Sequence, residues 1–254
     1  MDKDLKSLLP LLAYLLAIIT AELLTILINP FWGVLCNIVL LFVIIIHSSR
    51  SLTSAPNQLI ASLALVPLIR IISLSIPLAS ISQLWQFAII YMPLLLVTIV
   101  VARILNISVK QLGISIRFSW LQIVIVLSGL IIGAVEYIIL KPDPLLTDYS
   151  WDKVLSYSII FIACPGFIEE LIFRGVLQHT AAMTLRRWGI VYVSIIFAIL
   201  HLGFLSWVFV FFVFFVSLYL GWMAKKTGSL FGVILAHGLA NIILFIVMPV
   251  LLIQ

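Results

Sequence analysis

Charge is what this sequence has least of. Only 9% of its 254 residues are Asp, Glu, Lys or Arg, against roughly 25% in an ordinary soluble domain, while 65% are hydrophobic and the mean hydropathy is +1.35. A chain with so little polar surface cannot cover a water-soluble core, which excludes the soluble globular classes. The net charge of +5 implies no nucleic-acid partner, because basic residues in a membrane protein record its orientation. Cysteine is scarce too: Cys36 and Cys164 stand alone in apolar runs with no CxxC pattern, so neither a disulfide nor a thiolate metal site is expected, and both read as small packing residues. Polar linkers, low-complexity tracts and internal repeats are missing, which argues for one compact bundle. No HExxH helix is present, so the usual zinc-protease arrangement is absent.

What is there is a succession of apolar runs, each long enough to cross a hydrocarbon layer of roughly 30 Å as a helix of about 20 residues. Hydropathy and breakers predict an all-α polytopic membrane bundle of eight to nine transmembrane helices, with nine spans at 8–29, 31–47, 58–78, 84–102, 119–140, 153–182, 189–205, 207–223 and 229–252. The first run carries Glu22 and lacks a small-residue cleavage site, so it reads as a retained helix and not a secretion signal. With the N-terminus in the cytoplasm, Lys3, Lys6, Arg50, Arg103, Lys110, Arg117, Arg186, Arg187, Lys225 and Lys226 fall inside, and Lys141 and Lys153 outside. Trp32, Trp85, Trp120, Trp151, Trp188, Trp207 and Trp222 sit at or near span ends, where amphipathic rings favour the interface. The chain divides at residues 1–118, four spans plus an amphipathic connector (103–117), and 119–254.

The threading leaves Glu22, Arg70, Glu136, Glu169, Glu170, Arg174, His201 and His237 at depth, where an unpaired Asp, Lys or Arg costs about 2.5 to 3.5 kcal/mol on insertion scales and usually marks function. Within "EELIFR", Glu170 and Arg174 are four apart and can pair on one helix face, while Glu169 is turned by about 100°. Pro165 and Gly166, just before, predict a bend. His201 ends "FAILH" on the next span, and His237 and Asn241 share a face in "HGLAN" on the last. Counted from the cytoplasmic ends, Glu169 lies about 20 Å deep, His201 and Asn241 about 18 Å and His237 about 12 Å, one layer on three helices.

A carboxylate and an imidazole sharing one water make a general base for attack on a carbonyl, and a second imidazole with an amide can donate to the oxyanion. The same Glu169, His201 and His237 are also a possible ligand set for a divalent metal such as zinc, although the sequence requires no cofactor. Both alternatives stand on the residues alone. Arg70 and either Glu22 or Glu136 form a possible interhelical pair, with no spacing to choose between them. His47 and His179 read as surface residues.

"EELIFR", "FAILH" and "HGLAN" resemble, in order, the EExxxR, FxxxH and HxxxN motifs of the CAAX prenyl protease and bacteriocin-processing family, the Abi-type intramembrane endopeptidases. The resemblance covers about residues 119 to 250. It implies that Glu169 and His201 activate water, that His237 and Asn241 form the oxyanion site, and that Glu170 and Arg174 support them. It also implies a membrane-associated peptide as substrate, membrane lipid as surroundings and a multi-pass location in the cell membrane; small size without soluble domains resembles the bacterial members. A self-immunity or scaffold protein without catalysis is the competing expectation, and a proton-relaying transporter using Glu22, Arg70, Glu136 and Glu169 the third. Oligomeric state and substrate identity are not read from the sequence.

Overall fold

The computed structural model describes residues 3–49, 52–77, 81–117, 119–146 and 149–252, with side chains from residue 8 onward. Arg50, counted above among the inward cations, lies outside the described residues, as do the side chains of Lys3 and Lys6. Among the described residues all regular structure is helical: α1 (Lys3–Leu27), α2 (Pro30–Ser48), α3 (Ala55–Ser62), α4 (Leu65–Ser75), α5 (Gln83–Ile104), α6 (Trp120–Leu140), α7 (Trp151–Phe161), α8 (Gln178–Leu185), α9 (Trp188–Ile199), α10 (Trp207–Thr227), α11 (Phe231–Ile242) and α12 (Met248–Leu252). Two π-helical stretches, Ile162–Glu169 and Leu171–Leu177, join α7 to α8, and a third, Ile243–Val247, joins α11 to α12.

The starts and stops have local causes. Asn29 caps α2, accepting from Phe31 N, and Pro30 follows at the first helical position, where a missing N–H costs nothing. Ser54, Ser119 and Ser206 likewise cap α3, α6 and α10. Gly228, at φ +63°, ends α10 in the left-handed conformation that glycine adopts without strain.

Seven segments are long and apolar enough to cross a bilayer: Leu8–Leu27, Pro30–Ser48, Ala55–Ser75, Gln83–Ile104, Trp120–Leu140, Trp207–Thr227 and Phe231–Leu252. The two other expected spans differ from them. Residues 151–185 form one long helical rod that carries the charged residues, and Trp188–Phe204 is short. The chain is thus a multi-pass membrane protein. Its outer faces are apolar, with Leu16, Phe42, Leu96, Ile131, Phe211 and Leu251 among the exposed large side chains, as lipid contact requires. All seven tryptophans are exposed, six of them in the first turn of a helix.

The C-terminal helices meet at backbone distance. Gly129 and Gly133 on α6 face Ala236 and Ala240 on α11, and a Cβ on either glycine would collide with the opposing alanine carbonyl. Both pairs advance by four in the same sense, so α6 and α11 run parallel. In hydrocarbon, close approach of small residues is a main source of helix association. On the other side of α11, Gly238 meets Ile162, where a Cβ would lie 2.8 Å from Ile162 Cα. Helix α11 is therefore gripped from both sides around His237.

The two halves share one core, which runs from Leu11 and Leu40 through Leu94 to Ile172, Val193 and Ala236. Polar contacts stitch it: Tyr192 OH donates to Leu11 O at 3.0 Å, Ser62 and Thr180 hydroxyls meet at 2.8 Å, and Leu230 N donates to Gly113 O at 2.8 Å.

Candidate active site

The bend expected at Pro165 is a π-helix. Proline has no N–H and crowds the preceding turn, and the wider π turn accommodates it inside a continuous rod. Each residue then rotates less than the 100° of an α-helix, yet the i,i+4 pair survives: Arg174 Nη1 lies 3.0 Å from Glu170 Oε1. Glu170 is fully buried and Arg174 nearly so, a placement that membrane interiors tolerate for paired charges.

Three helices converge on this pair. His237 Nδ1 on α11 is 2.8 Å from the same Glu170 Oε1. Arg174 Nη2 donates to Ser217 Oγ on α10 at 3.1 Å, and its guanidinium stacks over the Phe197 ring of α9 at 4.7 Å. Phe197 in turn packs edge-on to Phe173 at 4.8 Å and against the His201 ring at 4.8 Å. Glu170 and Arg174 thereby fix three helices relative to the π-helical rod.

His201 is not inside a helix, as its expected span of 189–205 would have it. Helix α9 stops at Ile199, His201 lies on the following turn, and a 3₁₀ turn, Leu202–Phe204, continues to the Ser206 cap of α10. A helix that ends within an apolar bundle leaves carbonyls without partners. Arg70 supplies the donor: its Nη2 bonds the Leu200 carbonyl, the residue before His201. Glu22 grips the same guanidinium bidentately, at 2.7 and 2.6 Å. This settles the open pairing in favour of Glu22, and Glu136 is not part of it.

The tautomers follow from the partners. Phe197 O can only accept, so His201 Nδ1, 2.8 Å away, carries the hydrogen and Nε2 is the free nitrogen of the neutral ring. His237 Nδ1–H is spent on Glu170, which leaves its Nε2 facing Glu169 Oε2 at 3.9 Å, too long for a hydrogen bond. Glu169 Oε1 accepts from the Tyr91 hydroxyl of α5. Asn241 Nδ2 uses one hydrogen on His237 O at 3.2 Å and keeps a second.

Glu169, His201, His237 and Asn241 all line one cavity of about 340 Å³. Its remaining wall is apolar and aromatic, with Phe87, Phe161, Phe173, Phe204 and Phe245, and Ile69, Arg70, Ile90 and Tyr91 close it from α4 and α5. Glu136 lines a smaller cavity of about 80 Å³ that shares His201, His237 and Asn241 with the first. The possible metal set does not fit as placed: among the described residues, no three His, Cys, Asp or Glu side chains are grouped so as to hold an ion. His47 is half-buried and bonded to Tyr14 OH at 2.7 Å, and His179 is half-buried beside Gln178, so neither is a plain surface residue. Cys164 is buried and unpaired, a packing residue as expected.

Sequence reasoning missed Tyr91 and Ser217. A tyrosine or serine in an apolar run carries no charge to flag it, and neither has a polar neighbour at helical spacing. Arg70 was flagged by its charge alone.

No curated protein and no solved structure matches the chain. Residues 150–243 match the family described as type II CAAX prenyl endopeptidase Rce1-like. That stretch opens at the residue capping α7 and closes just beyond Asn241, so it contains Glu169, Glu170, Arg174, His201, His237 and Asn241 but none of α1 to α6. Over this segment the chain is similar to the type II CAAX prenyl endopeptidase Rce1-like family.

Proposed function

We propose that the protein is an intramembrane endopeptidase that hydrolyses a peptide bond of a membrane-associated substrate with water activated by Glu169 and His201. The observation that carries this reading is the convergence of Glu169, His201, His237 and Asn241, from three separate segments, on one cavity. Glu169 Oε2 and His201 Nε2 are both acceptors, the requirement for polarising a water between them. Water oxygen attacks the carbonyl carbon and its proton passes to the Glu169–His201 pair. The tetrahedral oxyanion takes a hydrogen bond from the second N–H of Asn241 and one from His237. With Nδ1 committed to Glu170, His237 donates from Nε2 only as the doubly protonated ring, and Glu169 and Glu170 on either side offset that charge. Collapse breaks the C–N bond, and the stored proton leaves with the amine.

The reading routes no step through a metal. The aromatic wall of the cavity suits an apolar or lipid-modified segment beside the cleaved bond, in keeping with the prenyl substrates named for the matched family. The site of action is the cell membrane; with the N-terminus in the cytoplasm, the cavity residues lie within the bilayer, about 12 to 20 Å from its cytoplasmic face.

Membrane peptides from cells producing wild-type and Glu169→Gln protein test the proposal. An uncut precursor should accumulate in the variant at equal protein levels and should identify the substrate. Identical peptide profiles would sink it.

A further inference from the structure

The two oxygens of Glu169 are not equivalent. Oε1 accepts from Tyr91, and Oε2 faces the His237 ring with room between them. The terminal torsion of a glutamate is broad and roughly two-fold, so a carboxylate without a fixed donor exchanges its oxygens and swings its plane. Tyr91 removes that freedom at the one carboxylate whose direction matters to the chemistry proposed above.

The placement of Tyr91 has no simpler use. Leu94, Thr98 and Ala102 continue its face of α5 into the core, and that packing asks only for an apolar side chain. A tyrosine hydroxyl brought into hydrocarbon needs a partner, and the partner it has is the Glu169 carboxylate. Phenylalanine, which the chain uses four residues earlier at Phe87 on the same cavity wall, would serve packing equally. The hydroxyl is there for the carboxylate.

We propose that Tyr91 is a positioning residue of the hydrolytic site: it holds Oε1 of Glu169 so that Oε2 is the oxygen presented to the attacking water. The inference rests on the reading of Glu169 as general base, and it extends the working site to α5, outside residues 150–243 that carry the family match.

The test uses full-length protein carrying Tyr91→Phe beside wild type, Glu169→Gln and Tyr219→Phe. The last removes a hydroxyl bonded to Ser128 at 3.1 Å, outside the cavity, and controls for loss of any buried phenol. In cells, the ratio of uncut to cut peptide should rise for Tyr91→Phe and Glu169→Gln but not for Tyr219→Phe. With a synthetic copy of the peptide that accumulates, Tyr91→Phe should lower kcat about 10- to 100-fold, the scale of one hydrogen bond to a charged group, with KM within about twofold because the ring stays in the cavity wall. A merely structural tyrosine would lower the melting temperature and leave kcat per folded molecule unchanged. Accumulation in Glu169→Gln with none in Tyr91→Phe overturns this inference alone; no accumulation in Glu169→Gln overturns the reading beneath it. Where Tyr91→Phe yields too little protein to purify, the in-cell ratio normalised to protein amount decides.

Discussion

The N-terminal helices α1 to α5 and the C-terminal set α6 to α12 put their few polar groups to use in opposite ways. In the C-terminal set they come in short clusters: Glu169, Glu170 and Arg174 within six residues, His237 and Asn241 four apart. In the N-terminal set they stand singly in apolar runs, and those that reach the cavity find their partners across the fold: Arg70 on Glu22 and on the Leu200 carbonyl, Tyr91 on Glu169. The difference teaches that a motif is visible when the residues cooperating are local in sequence, and that belonging to a site is a separate matter. The cavity has one wall from each half.

Two substitutions of the largest effect separate these roles. Glu169→Gln is nearly isosteric and should reduce cleavage by about 10²- to 10⁴-fold, the contribution of a general base, with little change in melting temperature. Arg70→Ala should do the reverse first: it strands the buried Glu22 carboxylate and the Leu200 carbonyl, a loss on the order of 3 to 5 kcal/mol when one partner of a buried pair is removed. Thermal unfolding in detergent checks it. The double variant Glu22→Gln/Arg70→Ala should recover part of that stability, because the stranded charge is gone. If Arg70→Ala melts as wild type does, the contrast between a catalytic half and an anchoring half fails.

How much of this was legible before the structure follows from the same contrast. The helical class was readable because hydrocarbon-length runs leave no other solution, and the tryptophans marked the helix ends. The pairing of Glu170 with Arg174 was readable because i,i+4 spacing survives even a π-helix. The end of α9 before His201 was not, since "FAILHLGFL" keeps its hydropathy through the turn and only Gly203 interrupts it. Nor was the choice of Glu22 over Glu136 for Arg70: it depends on α1 packing near the end of α9, a contact no local pattern encodes. Tyr91 was invisible for a third reason, being a residue that packs as readily as it bonds.

A smaller effect sharpens the comparison at α6, which belongs by sequence to the C-terminal set but carries no motif. Gly133→Val would force a side chain into the Ala240 backbone, and overpacking of this kind costs about 1 to 3 kcal/mol. Because α11 carries His237 and Asn241, the displacement should also lower kcat more than KM rises. An unchanged kcat with reduced stability would show that α11 holds its register from the Gly238–Ile162 side alone.

The smallest expected effect is at Ser217. Its hydroxyl gives Arg174 a hydrogen bond at 3.1 Å, but Glu170 at 3.0 Å and the Phe197 ring at 4.7 Å hold the same guanidinium. Ser217→Ala should therefore cost about 1 kcal/mol, the net value of one hydrogen bond, and leave cleavage within about twofold, as purified-protein kinetics and a melting curve would show. Redundancy is the reason: Glu170 and Arg174 each have partners on more than one element, so removing one neutral contact relaxes nothing. Arg70 also touches two groups, but it is the sole cation joining them. A large loss of activity in Ser217→Ala would mean that the orientation of Arg174 is set from α10, and that this half is as dependent on single long-range contacts as the other.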